Sequence, residues 1–204
     1  MAVSYLYNAF GEDFMNFSLP FMEEVGHREI RFLLNMMLKR INSPLTSSIG
    51  RLFDGVAAIL GIRSHVSYEG EAAMALEMMA DNKGDTWYAF EWEKDAFFRI
   101  PPGPIIRGIV HDMFHGVPCA EISGKFHTTV IRMYSKLCER LRKETDLNRI
   151  VLSGGAFQNA ILLGGFIKSL EEKSFHVYAH RLIPSNDGGL CLGQAMVAAS
   201  KSRA

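Results

Sequence analysis

The sequence has no excess of charge of either sign, because 22 basic residues balance 22 acidic ones. Without a basic stripe, a nucleic-acid-binding surface is not expected. No apolar run approaches the length of a membrane-spanning helix, and none follows a basic start as in a secretory signal peptide. A P-loop, a dinucleotide-binding fingerprint and internal repeats are also missing from the sequence. No nucleic-acid or membrane partner is therefore predicted.

Cysteine is scarce, and the three residues Cys119, Cys138 and Cys191 lie far apart without any Cys-x-x-Cys pair. We therefore expect reduced core thiols in a cytoplasmic protein rather than a disulfide framework or a zinc site. The chain has 204 residues, of which 48% are hydrophobic, and this suffices for one or two domains with a substantial core.

Residues 1–25 are rich in tyrosine and phenylalanine but show little helical or strand periodicity. An N-terminus this aromatic needs a surface to pack on. It either folds back on its own domain or is the cut edge of a longer chain. We interpret residues 1–43 as an N-terminal aromatic and helical segment and residues 44–204 as the main domain.

Apolar residues recur with helical spacing in several stretches bounded by Gly, Pro or Ser. The predicted helices cover about 28–40, 47–60, 72–81, 105–115, 119–143 and 158–173, and a last helix ends near residue 200. Strands are predicted at 86–92 and 96–100, as a hairpin, and at 150–152 and 175–179. The second half therefore alternates helices and strands, which indicates an α/β fold with a sheet covered by helices.

Two glycine-rich turns stand out in the second half. Ser153-Gly154-Gly155 follows an apolar strand and leads into a helix, and residues 184–189 lead into the last helix. Glycine lets a backbone approach a ligand closely, and a helix start presents unpaired N–H groups. One Gly-Gly after a strand is more often a plain turn. Because ligands gather at the carboxyl ends of strands in open α/β sheets, two such turns favour one shared binding site.

Two acids have both a structural and a functional interpretation. Asp54 is the only acid on a largely apolar helix, so it occupies either a narrow solvent face or a cleft. Asp187 lies in the second glycine turn and either caps the helix or holds a metal or a magnesium nucleotide. His111 and His115 share a helix face, where a solvent-exposed pair near the helix end is favoured over a metal pair.

Several motifs, in order along the chain, carry a resemblance to a known family. They are TSSIGRLFD at 46–54, VAAILG at 56–61, SYEGEAA at 67–73, KFH at 125–127, VLSGGAFQN at 151–159, PSNDGG at 184–189 and LGQA at 192–195. Together they resemble the C-terminal part of HypF, the carbamoyltransferase family of nickel–iron hydrogenase maturation. The resemblance implies a TsaD-like domain with the actin/Hsp70/sugar-kinase (ASKHA) fold, in which two α/β lobes flank a nucleotide cleft. This chain resembles mainly the second lobe, a mixed sheet flanked by helices.

The resemblance also implies a reaction. In this family an upstream domain makes carbamoyl-adenylate from carbamoyl phosphate and ATP. The last domain transfers the carbamoyl group to the C-terminal cysteine of HypE, where it becomes a cyanide ligand of the hydrogenase. A divalent metal, Fe, Zn or Mg, belongs to the complete domain.

Carried onto this chain, the family pattern places Gly154, Gly155 and Asn159 against the adenosine part of the adenylate, with Ser153 beside them. No catalytic residue is assigned by the resemblance.

Three further residues receive roles from the same resemblance. Asp54 would accept hydrogen bonds from the ribose hydroxyls, and Gly70 would let the backbone approach the nucleoside. Asp187 would be the metal ligand of the second lobe. The related TsaD-type motif has the order Asp-Asn, whereas this chain has Asn186-Asp187.

The chain departs from the family pattern in its first part. The paired metal histidines and the phosphate-binding turn of the first lobe are not found before residue 44. The chain is therefore expected to hold one wall of the cleft and to be inactive in carbamoyl transfer by itself. Two alternatives remain open. One is a docking module that binds HypE or pairs with a second copy as a homodimer, and the other is a related O-carbamoyltransferase or TsaD-like protein.

Overall fold

The computed structural model of the chain describes residues 1–81, 84–94 and 97–202. These residues form two compact units, Met1–Thr129 and Val130–Ala204. Within the described ranges, no helix combines the length and the apolar character needed to cross a membrane.

The first unit is mainly helical. Its helices are α1 (Ala2–Phe10), α2 (Pro20–Val25), α3 (His27–Leu38), α4 (Ile49–Ile59), α5 (Glu71–Met79), α6 (Gly103–Phe114) and the first part of α7 (Cys119–Thr145). The helices predicted from apolar spacing over 28–40, 47–60, 72–81 and 105–115 are confirmed with shifts of a few residues. The side chain of Ser48 accepts a hydrogen bond from the Arg51 amide, which explains why α4 begins where it does.

The aromatic N-terminus folds onto its own unit. Phe14 is fully buried. Phe17 makes edge-to-face contacts with Phe10 and with Phe114 at centroid distances of 4.9 and 5.4 Å. Residues 2–38 thus belong to the same compact unit as α4 and α6.

The strand predicted over 86–92 is wrong, because this segment has no strand in the structure. Tyr88 is buried, and its amide donates to the Thr129 hydroxyl at 2.8 Å instead of to a neighbouring strand. A small antiparallel hairpin does form next to it, between β1 (Glu93–Lys94) and β2 (Phe98–Arg99). Ala96, the first residue of the second predicted strand, lies outside the described residues.

A polar cluster of Tyr88, Asp112 and Lys125 holds this segment in place. The Tyr88 hydroxyl donates to Asp112 at 2.9 Å, and the Lys125 ammonium donates to the same carboxylate oxygen at 2.8 Å. Lys125 also lies over the Tyr88 ring, 4.3 Å from its centroid. Burial alone would raise the pKa of Asp112, but the hydrogen bonds from Lys125 and Tyr88 outweigh it and lower that pKa. Burial, together with the negative charge of Asp112, raises the pKa of Tyr88.

The second unit confirms the predicted alternation of helix and strand. It contains the rest of α7, β3 (Arg149–Leu152), α8 (Ala160–Glu171), β4 (His176–Ala179) and α9 (Leu190–Lys201). Strands β3 and β4 are parallel, and their register pairs Arg149 with His176 and Leu152 with Ala179. Because α8 lies between them in the chain, these elements form a βαβ unit.

The buried side of the second unit lies between the strands and α8. Its buried apolar residues are Leu152, Leu162, Phe166, Leu170 and Phe175. Helix α8 approaches α7 closely, because an added Cβ at Gly165 would overlap the end of the Ile131 side chain. The next residue upstream, Gly164, faces open space.

These neighbouring glycines provide a matched pair of substitutions. Gly164→Ala should raise the free energy of unfolding by about 1 kcal/mol, because it removes a helix-interior glycine without a new contact. Gly165→Ala gains the same helix propensity, but the end of the Ile131 side chain must shift to make room, which offsets part of that gain. In urea unfolding followed by circular dichroism, the Gly165→Ala midpoint should therefore lie below that of Gly164→Ala. Equal midpoints would contradict the close approach of α7 and α8.

The lowered pKa of Asp112 predicts a pH dependence of stability. A folded-state pKa below the ordinary 3.8 contributes stability that is fully present above that value and is lost as the pH falls through the folded pKa. Asp112→Asn removes this contribution, so its destabilisation should be large at about pH 7 and shrink towards about pH 3. The control is Asp146→Asn at an exposed position, which should match the wild type at both pH values. A destabilisation by Asp112→Asn that does not change with pH would contradict the ionic role.

Candidate functional site

The candidate site of the second unit begins where the two parallel strands end. Ser153 and His180 follow the last residue pair of the ladder, Leu152 and Ala179. The Ser153 Oγ and the His180 Nε2 are 2.9 Å apart, within hydrogen-bonding distance, and both side chains are exposed. The carboxyl edge of the sheet therefore carries a serine–histidine pair.

The first glycine turn starts directly after this pair. Gly154 has φ of 105°, a conformation that side-chain-bearing residues rarely adopt, and an added Cβ at Gly154 or Gly155 would meet nothing within 4 Å. The space beside this backbone is therefore open to a ligand.

The two glycine turns are directly joined. The Gly154 amide donates to the backbone oxygen of Ser185 at 2.8 Å, so a residue of the first turn is bonded to a residue of the second. The sequence predicted unpaired N–H groups at the first turn, but the Gly154 amide already has an acceptor and is not free to bind a ligand.

Asn159 has a clear local task. Its side-chain oxygen accepts from the Leu162 amide at 2.8 Å and caps the start of α8, and the residue is 9% exposed. The helix predicted from residue 158 thus begins at Ala160, after a 3-10 turn over Gly155–Gln158. Asn159 thus lies between the 3-10 turn and the first residue of α8.

The second glycine turn separates the roles of two adjacent residues. The Asn186 side chain accepts from the Gly188 amide at 3.1 Å and caps a short 3-10 helix, Asp187–Gly189. The capping role considered for Asp187 therefore falls to Asn186, and Asp187 is exposed. An added Cβ at Gly189 would lie 2.5 Å from the Pro184 backbone oxygen, so the turn requires glycine there.

Asp54 and Gly70 lie in the first unit. Asp54 is on α4, where its carboxylate pairs with Arg51 at 3.1 Å and its side chain is 26% exposed. Gly70 precedes α5 in a left-handed conformation with φ of 84°, and an added Cβ there would meet nothing within 4 Å. The structure thus brings together the predicted residues from Ser153 to Asp187 in the second unit and places the other two in the first.

A complete metal site is not formed by the chain as described. Over residues 1–81, 84–94 and 97–202, no group of three or more His, Cys, Asp or Glu side chains could hold a metal ion. His111 and His115 stack at the end of α6 with ring centroids 4.1 Å apart, and both are exposed. The Nδ1 atom of His115 is 2.7 Å from the His111 backbone oxygen, as for a surface pair at a helix end. Asp187 could therefore supply one metal ligand but not a full set.

His180 is the residue of this edge that sequence reasoning missed. It follows β4 just as Ser153 follows β3, so the strand register would have revealed it. Without the register, a histidine in a loop before Pro184 gives no signal of its own.

The family comparison matches almost the whole chain. A family model described as the second subdomain of the Kae1-like domain of carbamoyltransferases covers residues 1–194. The chain is 30% identical over 210 residues to carbamoyltransferase HypF of Synechocystis sp., covering 96% of this chain and 27% of that protein. It is 36% identical over 170 residues to carbamoyltransferase HypF of Rhodobacter capsulatus, covering 80% of this chain and 21% of that protein.

Two solved HypF structures also match almost the whole chain. A crystal structure of full-length HypF in its phosphate- and nucleotide-bound form matches with a TM-score of 0.89 and 39% identity, over 97% of this chain and 25% of that one. The HypF of T. kodakarensis matches with a TM-score of 0.81 and 26% identity, over 97% of this chain and 26% of that one. The chain spans about a quarter of the length of these relatives.

Substitutions in the second glycine turn distinguish the cap from the exposed acid. Asn186→Ala removes the acceptor for the Gly188 amide and should lower the free energy of unfolding by about 0.5–1 kcal/mol. Asp187→Ala, one residue away, should leave the thermal unfolding midpoint unchanged because its carboxylate is exposed. The opposite ranking of the two midpoints would assign the cap to Asp187.

Proposed function

The chain belongs to the HypF carbamoyltransferase family, as the second subdomain of its Kae1-like domain, and we propose that it forms one wall of a carbamoyl-transfer site with the ASKHA fold. The donor is carbamoyl-adenylate, made from carbamoyl phosphate and ATP. The acceptor is the C-terminal cysteine of HypE, in the cytoplasm, where the product serves hydrogenase maturation.

The observation that carries this proposal is the hydrogen bond between Gly154 and Ser185. It joins two glycine turns that are far apart in sequence into one surface at the carboxyl edge of the β3–β4 ladder. Ligands of open α/β folds bind at this edge. The open space beside Gly154 and Gly155 gives a nucleotide room to approach the backbone.

The proposed roles of the residues follow from their chemistry. The backbone of Gly154 and Gly155 contacts the adenosine face, and the Ser153 hydroxyl hydrogen-bonds the ligand. Asn159 supports the turn by capping α8. In the first unit, the Asp54 carboxylate accepts from the ribose hydroxyls, and the left-handed Gly70 lets the backbone approach the nucleoside.

Asp187 is proposed as one ligand of a divalent cation. Its carboxylate is exposed, and Asn186 performs the local capping. A carboxylate oxygen suits hard or borderline divalent metals, but the described residues offer no complete donor set, so the other ligands must come from outside this chain. When bound, such an ion would neutralise negative charge on the phosphate of the adenylate.

The transfer step moves the carbamoyl group from a phosphate oxygen of the adenylate to a cysteine sulfur. The thiolate sulfur of the HypE cysteine attacks the carbamoyl carbon, the bond from that carbon to the phosphate oxygen breaks, and AMP leaves with the electron pair. No oxidation or reduction takes place. Because the chain covers about a quarter of its relatives, we assign it nucleotide binding and expect no carbamoyl transfer by this chain alone.

Titration calorimetry with AMP tests the nucleotide assignment and the role of Asp54. Wild-type chain should bind AMP, and Asp54→Ala should weaken binding about tenfold, because a hydrogen bond to a charged acceptor is lost. Arg51→Ala is the matched control, since it removes the ion-pair partner of Asp54 but keeps the carboxylate. Equal AMP affinities for wild type and Asp54→Ala would remove Asp54 from the site. An absence of AMP binding by the wild type would contradict nucleotide binding by this chain.

A further inference from the structure

We propose that His180 is a positioning residue of the nucleotide wall that acts through Ser153, by fixing the orientation of the Ser153 hydroxyl. This inference rests on the proposed function, because Ser153 is taken to contact the nucleotide. It adds a residue that follows a second strand to the part of the site formed by the two glycine turns.

The strand register makes the pairing of these residues a consequence of the fold. Leu152 and Ala179 are the last partners of the parallel ladder, so Ser153 and His180 are the next residues along the two strands. Their side chains approach to 2.9 Å between Oγ and Nε2. The contact therefore follows from the register of the β3–β4 ladder.

The position of the pair is that of the proposed site. The residue after Ser153 is Gly154, whose amide is bonded to Ser185 of the second turn. Ser185 is in turn only five residues after His180. The segment from His180 to Ser185 thus runs from the histidine to the hydrogen bond that joins the turns, with the serine–histidine pair at one end.

The chemistry of the two groups explains what the pair does. A serine hydroxyl carries one donor hydrogen and two acceptor lone pairs, and it rotates freely unless a partner holds it. Nε2 of a neutral imidazole either accepts the serine hydrogen or donates its own. In both cases the remaining donor or acceptor capacity of the hydroxyl is held in a defined direction. A ligand hydroxyl or phosphate oxygen then meets a preoriented partner, which lowers the entropy cost of binding.

Strand β4, which precedes His180, contains a histidine that can serve as a control. His176 is exposed like His180, but it is paired in the ladder with Arg149, at the opposite end of β4 from the glycine turns. His176→Leu makes the same exchange of an exposed histidine for leucine, without removing the partner of Ser153.

The experiment is a double-mutant cycle with AMP as ligand, measured by titration calorimetry on the complete chain. Ser153→Ala and His180→Leu should each weaken AMP binding about three- to tenfold, as expected for loss of one oriented hydrogen bond. The double variant should be no weaker than the weaker single variant. His180→Gln, whose amide can both donate and accept, should restore affinity to within about twofold of wild type, and His176→Leu should match wild type.

A nucleotide-independent readout separates this inference from the proposed function. In long-range proton–nitrogen NMR spectra, Ser153→Ala should shift the Nε2 resonance of His180 and leave that of His176 unchanged. If wild type binds no AMP but this shift is present, the proposed function fails for this chain while the hydrogen-bonded pair stands. If AMP binds but the two single losses multiply in the double variant, or His180→Gln fails to restore binding, the positioning role of His180 is overturned. The absence of the NMR shift also overturns it.

Discussion

The parallel pairing of β3 with β4 is the constraint on which the candidate site depends. Four residue pairs, from Arg149 and His176 to Leu152 and Ala179, fix both strands in one register. Because parallel strands end at the same edge, the residues that follow them must meet there. The serine–histidine pair and the adjoining glycine turn are consequences of that register. The buried face of the ladder and α8 hold it in place, since Leu152, Phe166 and Leu170 are buried.

The first unit uses a different kind of constraint. Its helices bury an apolar core, but the segment before the small hairpin is held by two hydrogen bonds. The Tyr88 amide donates to the Thr129 hydroxyl, and the Tyr88 hydroxyl donates to Asp112. Lys125 neutralises the charge of the Asp112 carboxylate, which also accepts the hydrogen of the Tyr88 hydroxyl. A half-buried acid of this kind is tolerated only when its oxygens are paired. Gly108 completes the arrangement, because an added Cβ there would overlap the Tyr88 ring.

The sequence was informative where one physical signal decided the structure. Apolar spacing predicted α3 to α8 and the parallel strands, because burial of one face dominates those elements. It failed at 86–92, where hydrogen bonds of Tyr88 to distant side chains replace a strand ladder. It also failed at α1 and α2, because these helices have only nine and six residues and show little helical period in the sequence. The two glycine turns were found from composition alone. Their connection through Ser185, the cap by Asn186 and the presence of His180 depend on three-dimensional placement that local patterns do not encode.

The amide of Gly154 is already committed to Ser185, and this limits how the turn can recognise a ligand. In a P-loop, successive amides surround a phosphate and attract its charge. Here Gly154 contributes room rather than a donor, which under the proposed function suits the flat, uncharged part of a nucleotide. Under the proposed function, dispersion contacts beside Gly154 add to the hydrogen bond from Ser153, and these contacts depend little on ionic strength because they involve no net charge. Under the proposed function, the backbone of this turn would contact the nucleoside, and discrimination between one, two or three phosphates would fall to other groups.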